Sequence, residues 1–231
     1  MLGWKRARRA AVLGAAGLGA CALLAACSPV KMGAAAIVGS QRITISALDT
    51  QVASLQASAV PYGSQVQLTS AQMPAAVLSW LVRFSVVDQL AASAGISVTQ
   101  AQVQQGVASI DSQAASAASA NGYSSGAALL AGVGISPQML TSIGRYQAQE
   151  IAYAEKVNGG RLPTTAAQNT VVTAALGKAQ CQAAKSLNIS VSPQFGRMDY
   201  STYSVVAAPS TLSQPEGVPS PASTAGLAPA C

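Results

Sequence analysis

Cysteine is the residue type with the most chemistry in this chain, and Cys27 has the most informative surroundings. It follows Leu24, Ala25 and Ala26, which end an uncharged run that starts at Ala10. Four basic residues lie just before that run, between positions 5 and 9. A basic region, a short apolar region and a small-residue site are the parts of a secretory signal. The pattern therefore predicts an exported chain with a cysteine directly after the small residues of its signal.

Leu24, Ala25, Ala26 and Cys27 together resemble a bacterial lipobox, the motif before whose cysteine the signal is cut and at which that cysteine is lipidated. The resemblance implies a lipoprotein signal peptide over residues 1–26, acyl chains such as palmitate on Cys27, and a lipid-anchored tether over residues 27–33. An uncleaved membrane helix is the alternative, but the apolar run has about 17 residues, the lower limit for a span. The expected location is the extracytoplasmic face of the cell membrane.

Composition argues against several functional classes. The chain has no histidine, which excludes Ser-His-Asp and Cys-His catalysis and histidine-ligated zinc. Its seven carboxylates are scattered, so they suggest solvated helix faces rather than acid–base pairs or a metal site. After residue 26 there are nine basic and seven acidic residues, a net charge of +2 that gives no support to nucleic-acid binding. We therefore expect no enzymatic activity, no cofactor and no metal.

Cys181 and the terminal Cys231 are the remaining thiols once Cys27 is lipidated. In an oxidising compartment the two residues can form a disulfide. The alternative is a buried free thiol at Cys181 and an unattached Cys231. The sequence leaves this choice open.

Hydrophobic spacing and capping residues predict a mainly helical domain over residues 34–206 with a small terminal β-sheet, an α+β fold. Two β-prone runs flank Gly39-Ser40 as a hairpin, and residues 189–191 are expected to pair with it. A second short strand is predicted over residues 203–206, and a disordered tail rich in Pro, Ser and Ala is predicted over residues 207–231. Helix starts are predicted at the caps Ser46, Ser70, Thr99 and Ser136, and two further helices are predicted to begin at Ser125 and at about Ala166.

An apolar stripe on the helix after Ser70 has two interpretations. Met73, Trp80, Leu81 and Phe84 lie at helical spacing, so they can line a groove for apolar client segments. The same spacing is what ordinary core packing requires. The stripe alone does not separate a groove from a core.

Three segments resemble the SurA N-terminal-like chaperone domains, in their actinobacterial form. Residues 36–49 read as an apolar strand, a Gly turn and Ile-Thr leading into a helix. Residues 90–99 resemble the family's helix end with its Gly-Ile-x-Val-Thr link, and residues 189–196 resemble its C-terminal ending. In that ending Ser192 and Gln194 stand where Asn and Arg are usual. Their order along the chain, spanning about residues 34–200, carries the resemblance.

The resemblance implies a helical domain closed by a small sheet that holds extended, apolar segments of unfolded exported proteins. Many relatives insert a parvulin-type prolyl isomerase between the last two helices. Here residues 158–164 are the whole connection, and the chain lacks the histidines of such a domain. The expected function is a membrane-anchored, chaperone-like lipoprotein without isomerase activity.

Other functions stay open at this stage. The first is a non-catalytic envelope subunit dedicated to one partner protein. A degenerate isomerase and a solute-binding lipoprotein are less compatible with the missing histidines and the few strands. Unfolded or exported polypeptides and, through the anchor, the membrane are the expected partners, and a homodimer is left open.

Overall fold

The structure describes residues 32–207 of this computed structural model. In this part of the chain, six α-helices lie between short strands at its two ends. The helices are α1 (Ile45–Ala59), α2 (Met73–Ser93), α3 (Gln100–Ala118), α4 (Gly126–Gly132), α5 (Leu140–Val157) and α6 (Ala166–Ser186). The strands are β1 (Ala34–Val38), β2 (Gln41–Thr44), β3 (Ser190–Val191), β4 (Arg197–Asp199) and β5 (Ser204–Val206). The mainly helical fold with small antiparallel strands is thus confirmed. The predicted disordered tail falls outside the described residues, apart from Ala207.

The two ends of the domain meet in a three-stranded sheet of order β2-β1-β3. Its strands are antiparallel, and Ala36 is opposite Val191, as the sequence predicted for this hairpin and its partner strand. Gly39 turns the hairpin with φ +57°, and a Cβ there would lie 2.6 Å from the Gln89 side chain. Its amide donates to the Leu187 carbonyl at 2.9 Å. Only glycine fits this turn, which ties the sheet to α2 and to the end of α6.

α2 is the central helix of the domain. Thirteen of its 21 residues are buried, including Val77, Leu78 and Val86. Its neighbours are α1, α5, α6, β1 and β5, so it is covered on most sides. Burial of apolar surface against α2 supplies the main driving force for folding.

α3 and α5 approach each other closely through two glycines. A Cβ on Gly106 would collide with the carbonyl oxygen of Gly144, and one on Gly144 would lie 2.7 Å from the Val103 carbonyl oxygen. The missing side chains let the two backbones touch at the crossing point. This contact attaches α3, whose outer face carries exposed glutamines, to the core helices.

Three helix starts differ from the sequence prediction. α1 is capped by Thr44, not Ser46, because β2 leads into the helix without a loop and the Thr44 hydroxyl already accepts an amide bond. α2 follows Gln72 with no side-chain cap, so Ser70 does not cap it. After Ser136 a 3₁₀ turn precedes α5, and the Ser136 hydroxyl donates to Gln51 at 2.6 Å instead of capping. The predicted cap Thr99 is confirmed, and Ser125 and Thr165 cap α4 and α6, the two helices predicted to begin there.

The second, two-stranded sheet is a hairpin of β4 and β5, of which the sequence predicted only β5. Arg197 is opposite Val206, and Asp199 is opposite Ser204. Gly196 precedes β4 at φ +122°, where a Cβ would lie 2.9 Å from the carbonyl carbon of Val206. The hairpin closes only because this position is glycine.

Candidate functional site

The four side chains predicted to line a client groove lie in or against the core. Met73 is 7 % exposed, Trp80 7 % and Phe84 8 %, and Leu81 is half-buried against the same cluster. They do not form an open surface in this structure, and core packing accounts for their spacing. Client binding by these side chains stays a prediction that requires the domain to open.

Trp80 belongs to an aromatic cluster between α2 and α5. Its ring centroid lies 6.0 Å from that of Phe84 and 6.4 Å from that of Tyr146, the second pair edge to face. The indole N–H donates to the Val133 carbonyl at 2.9 Å. Because both its ring and its polar atom have partners, Trp80 is fixed in one orientation.

A buried polar network lies beside these rings, and sequence analysis missed it. Arg83 is 3 % exposed in the middle of apolar α2. Across from it, Gln180 donates to the Glu150 carboxylate at 2.7 Å, and Tyr146 also hydrogen-bonds that carboxylate. A single cation inside an otherwise apolar helix was the available signal, because a buried charge needs partners elsewhere in the fold.

Burial is the main cause of the pKa shifts of Glu150, Arg83 and Tyr146 in this network. Desolvation raises the pKa of Glu150, although its hydrogen bonds to Tyr146 and Gln180 and the charge of Arg83 act in the opposite direction. Desolvation also lowers the pKa of Arg83 and raises the pKa of Tyr146 well above its ordinary value. The cluster therefore couples α2, α5 and α6 electrostatically.

α2 binds the backbone at and just before β5 through two polar side chains one turn apart. The Ser79 hydroxyl accepts from the Val205 amide at 2.9 Å and lies 3.4 Å from the Val205 carbonyl oxygen. Arg83 donates its Nε–H to the Tyr203 carbonyl at 3.1 Å. The Arg83 guanidinium carbon also lies 5.0 Å from the centroid of the Trp80 ring and 5.8 Å from that of Tyr203. The chain at Tyr203 and Val205 is thus held by contacts to its main chain.

Tyr203 fits this position imperfectly. It is 1 % exposed, yet its hydroxyl has no hydrogen-bond partner among the described residues. Its backbone has φ +50°, a left-handed conformation that is unfavourable for a bulky residue. Both features cost free energy in the folded state.

The cysteines divide into described and undescribed positions. Cys181, on α6, is 8 % exposed and is disulfide-bonded. Its partner lies outside the described residues, as do Cys231, Cys27 and the rest of the lipobox, Leu24 to Ala26. The pairing of Cys181 with Cys231 and the lipidation of Cys27 remain predictions.

Small-molecule and metal sites find little support in residues 32–207. That part of the chain contains no group of three or more His, Cys, Asp or Glu side chains able to hold a metal ion. A cleft between α2 and α5, where Gln149 donates to Asp88 at 2.8 Å, has a volume of about 130 Å³. Ligand pockets usually measure about 300 Å³ or more. The cleft is therefore too small for a solute of drug-like size.

Exposed apolar side chains occur at the α5–α6 connection. Val157 is 40 % exposed, Leu162 52 % and Val171 64 %. In another part of the chain, Val60 after α1 is 78 % exposed. The α5–α6 end thus offers three apolar contacts close together in sequence.

α2 also meets the length and composition expected of a membrane span, and so does α4 with α5 if that bent pair counts as one span. Most of α2 is buried inside the domain, which a core helix of this composition requires. The apolar character of α2 is therefore explained by packing.

Comparison with known proteins gives one match. The model of a family described as the SurA-like N-terminal domain matches residues 1–143. No curated protein and no solved structure matches the chain. The matched stretch covers more than half of the 231 residues and runs from the N-terminus through β1 and β2 to the first turn of α5. The chain therefore belongs to the family of SurA-like N-terminal domains, which are chaperone-type domains of the cell envelope.

Proposed function

We propose that this protein is a membrane-anchored, extracytoplasmic chaperone that binds extended segments of exported proteins and does not isomerise prolyl bonds. One observation carries the proposal beyond family membership: α2 holds the chain at Tyr203 and Val205 through hydrogen bonds to main-chain atoms. Every polypeptide has these atoms, so contacts of this kind suit a protein that must accept many sequences.

The connection between α5 and α6 supports a role without isomerase activity. α5 ends at Val157 and α6 begins at Ala166, so eight residues join them. In many of the relatives that the sequence resembles, an isomerase domain is inserted here. Eight residues form a loop and not a domain.

Client holding is tested by light scattering. A chemically unfolded protein is diluted into buffer with increasing amounts of the chain from Ser28 to Cys231, which retains the whole compact unit that starts at Gly33. We expect aggregation to be suppressed near equimolar ratios, because each domain offers one extended-segment site. No suppression by a chain that circular dichroism shows to be folded would contradict the proposal and would favour a subunit dedicated to one partner.

Two surface variants test whether the α5–α6 end contributes to client holding. Replacing Leu162 and Val171 by Gln removes two exposed apolar contacts without changing the core. We expect weaker suppression from this double variant and no change from the control Val60→Gln, whose side chain is also exposed but lies after α1. Equal suppression by all three proteins would exclude this end from the client contact.

Anchoring is tested by replacing Cys27. The lipoprotein proposal requires its thiol for acylation, so Cys27→Ala should leave a full-length precursor with no acyl label in metabolic labelling. Processing that continued unchanged in the variant would contradict the anchor.

We further propose that Cys231 is the partner of Cys181. If residues 1–26 are removed and Cys27 is acylated, Cys231 is the remaining cysteine of the mature chain. Peptide mapping of the non-reduced mature protein should yield one linked peptide pair containing both residues. A free thiol at Cys231 would refute the pairing.

A further inference from the structure

β5 packs against α2 and hydrogen-bonds to it through its main chain, as a bound client segment would. We propose that the β4–β5 hairpin is an internal occupant of the client site, and that extended polypeptides with apolar side chains two positions apart displace β5 from α2. This inference rests on the proposed function and names its site. We call that site the α2 slot, formed by Ser79, Arg83 and the two sockets that hold the side chains of Tyr203 and Val205.

The hydrogen bonds in the α2 slot carry no sequence information. Ser79 and Arg83 reach the Val205 amide and the Tyr203 carbonyl, main-chain atoms that every polypeptide has. The side chains of β5 add only an alternating pattern. Tyr203 is 1 % and Val205 6 % exposed, whereas Ser204 between them is half-buried and meets the Thr202 hydroxyl at 2.8 Å. The recognised class is therefore a polypeptide segment with apolar residues at positions i and i+2.

The resident segment is a weaker fit than a client can be. The Tyr203 hydroxyl is buried without a partner among the described residues, so its socket suits a phenyl or aliphatic side chain better than a phenol. The left-handed backbone of Tyr203 adds a second cost. A client with Phe or Leu in this socket avoids the first cost.

The β4–β5 hairpin can also detach from α2 while the rest of the domain stays folded. Each of its strands has three residues, and a two-stranded hairpin of this size is not stable by itself. Its sheet is separate from the three-stranded sheet that closes the domain. The hairpin and β3 lie beyond residue 143, outside the family match. Displacement of β5 can thus leave the other sheet and the α1–α2 packing in place.

Hydrogen exchange on the chain from Ser28 onward tests displacement directly. The Val205 amide is bonded to Ser79, so it should exchange slowly in the free protein. On addition of reduced, carboxymethylated α-lactalbumin, a permanently unfolded client, we expect exchange at Val205 to accelerate at least fivefold while amides of β1 stay protected. Trp80 is the only tryptophan of this chain after Trp4, so its fluorescence should change in the same titration.

A peptide with the sequence of residues 197–207 and Phe in place of Tyr203 tests the slot in trans. Tyr203→Phe in the protein removes the unpartnered hydroxyl, strengthens the internal contact and should weaken peptide binding about tenfold. Gly196→Ala hinders hairpin closure and should strengthen peptide binding about tenfold. The matched control is Gly122→Ala, also a glycine at positive φ but with no atom within 4 Å of an added Cβ, and it should leave binding unchanged.

The outcomes separate this inference from the proposed function. Client holding with an unchanged Val205 exchange rate overturns displacement while leaving the chaperone proposal intact. Peptide affinity that is highest for Gly196→Ala, intermediate for wild type and lowest for Tyr203→Phe supports the α2 slot, even if aggregation is not suppressed. If neither the client nor the peptide binds, both proposals fail. If Gly196→Ala does not fold, the comparison of wild type with Tyr203→Phe decides, because that variant keeps the ring in the core.

Discussion

The Ser79 hydroxyl is the most direct test of how α2 holds β5. Ser79 is 8 % exposed, donates to the Ala75 carbonyl of its own helix at 2.8 Å and accepts from the Val205 amide at 2.9 Å. In Ser79→Ala the Val205 amide loses its acceptor inside the protein, which costs about 1–3 kcal/mol. Alanine returns about 0.5 kcal/mol through its higher helix propensity. The expected net loss in the free energy of unfolding is therefore about 1–2 kcal/mol.

This loss is large enough to measure by thermal and urea unfolding. For a domain of this size, 1 kcal/mol corresponds to about 2–4 °C, so the Tm of Ser79→Ala should fall by about 2–8 °C. The urea midpoint should fall with an unchanged slope, because the surface exposed on unfolding is the same. The control is Ser93→Ala, whose exposed hydroxyl donates only to the Leu90 carbonyl of its own helix, and it should stay within about 0.5 kcal/mol of wild type. Equal Tm values for Ser79→Ala and wild type, with unchanged exchange at Val205, would refute the reasoning.

Two further predictions concern the packing around α2. Burial raises the pKa of Glu150 above the ordinary value of 4.5, so the free energy of unfolding should decrease as the pH rises from about 4.5 through the folded-state pKa. Urea unfolding at a series of pH values should show that Glu150→Gln removes this decrease. A pH profile that is the same in the variant and in wild type would contradict the prediction. Gly144→Ala would stabilise an exposed helix by about 1 kcal/mol, but here the added Cβ lies 2.7 Å from the Val103 carbonyl oxygen, so we expect a destabilisation of about 1–3 kcal/mol by thermal unfolding. A Tm equal to or above that of wild type would show that α3 and α5 can separate without cost.

Local signals in the sequence were sufficient for most of the secondary structure. Thr99 and Thr165 each have Gln three residues later, and in both cases the Gln side chain returns to the cap as a capping box. The bounds of α6 and the turn at Gly39 follow from the same kind of local chemistry. These features depend on residues within one turn of each other, so a pattern in the sequence can reveal them.

Features that depend on distant residues were missed or misassigned. Ser136 looks like a cap in sequence, but its hydroxyl is used by Gln51, 85 positions away. Arg83 and its contact with Tyr203 join positions 120 residues apart, and β4 has only three residues, two of them charged. No periodicity records such pairings. They become visible only when the topology brings both partners together.

The apolar stripe of α2 shows why groove and core were hard to separate. Both need large apolar residues at helical spacing, and the difference lies in what covers them. Part of the cover here is β5, which comes from far along the chain. A segment tethered in this way has an effective concentration of about 1 mM at the slot. A client therefore displaces it only if the client's Kd for the open slot is well below about 1 mM. Core and client site can therefore be the same helix surface in two states, with the unpartnered Tyr203 hydroxyl setting part of the balance between them.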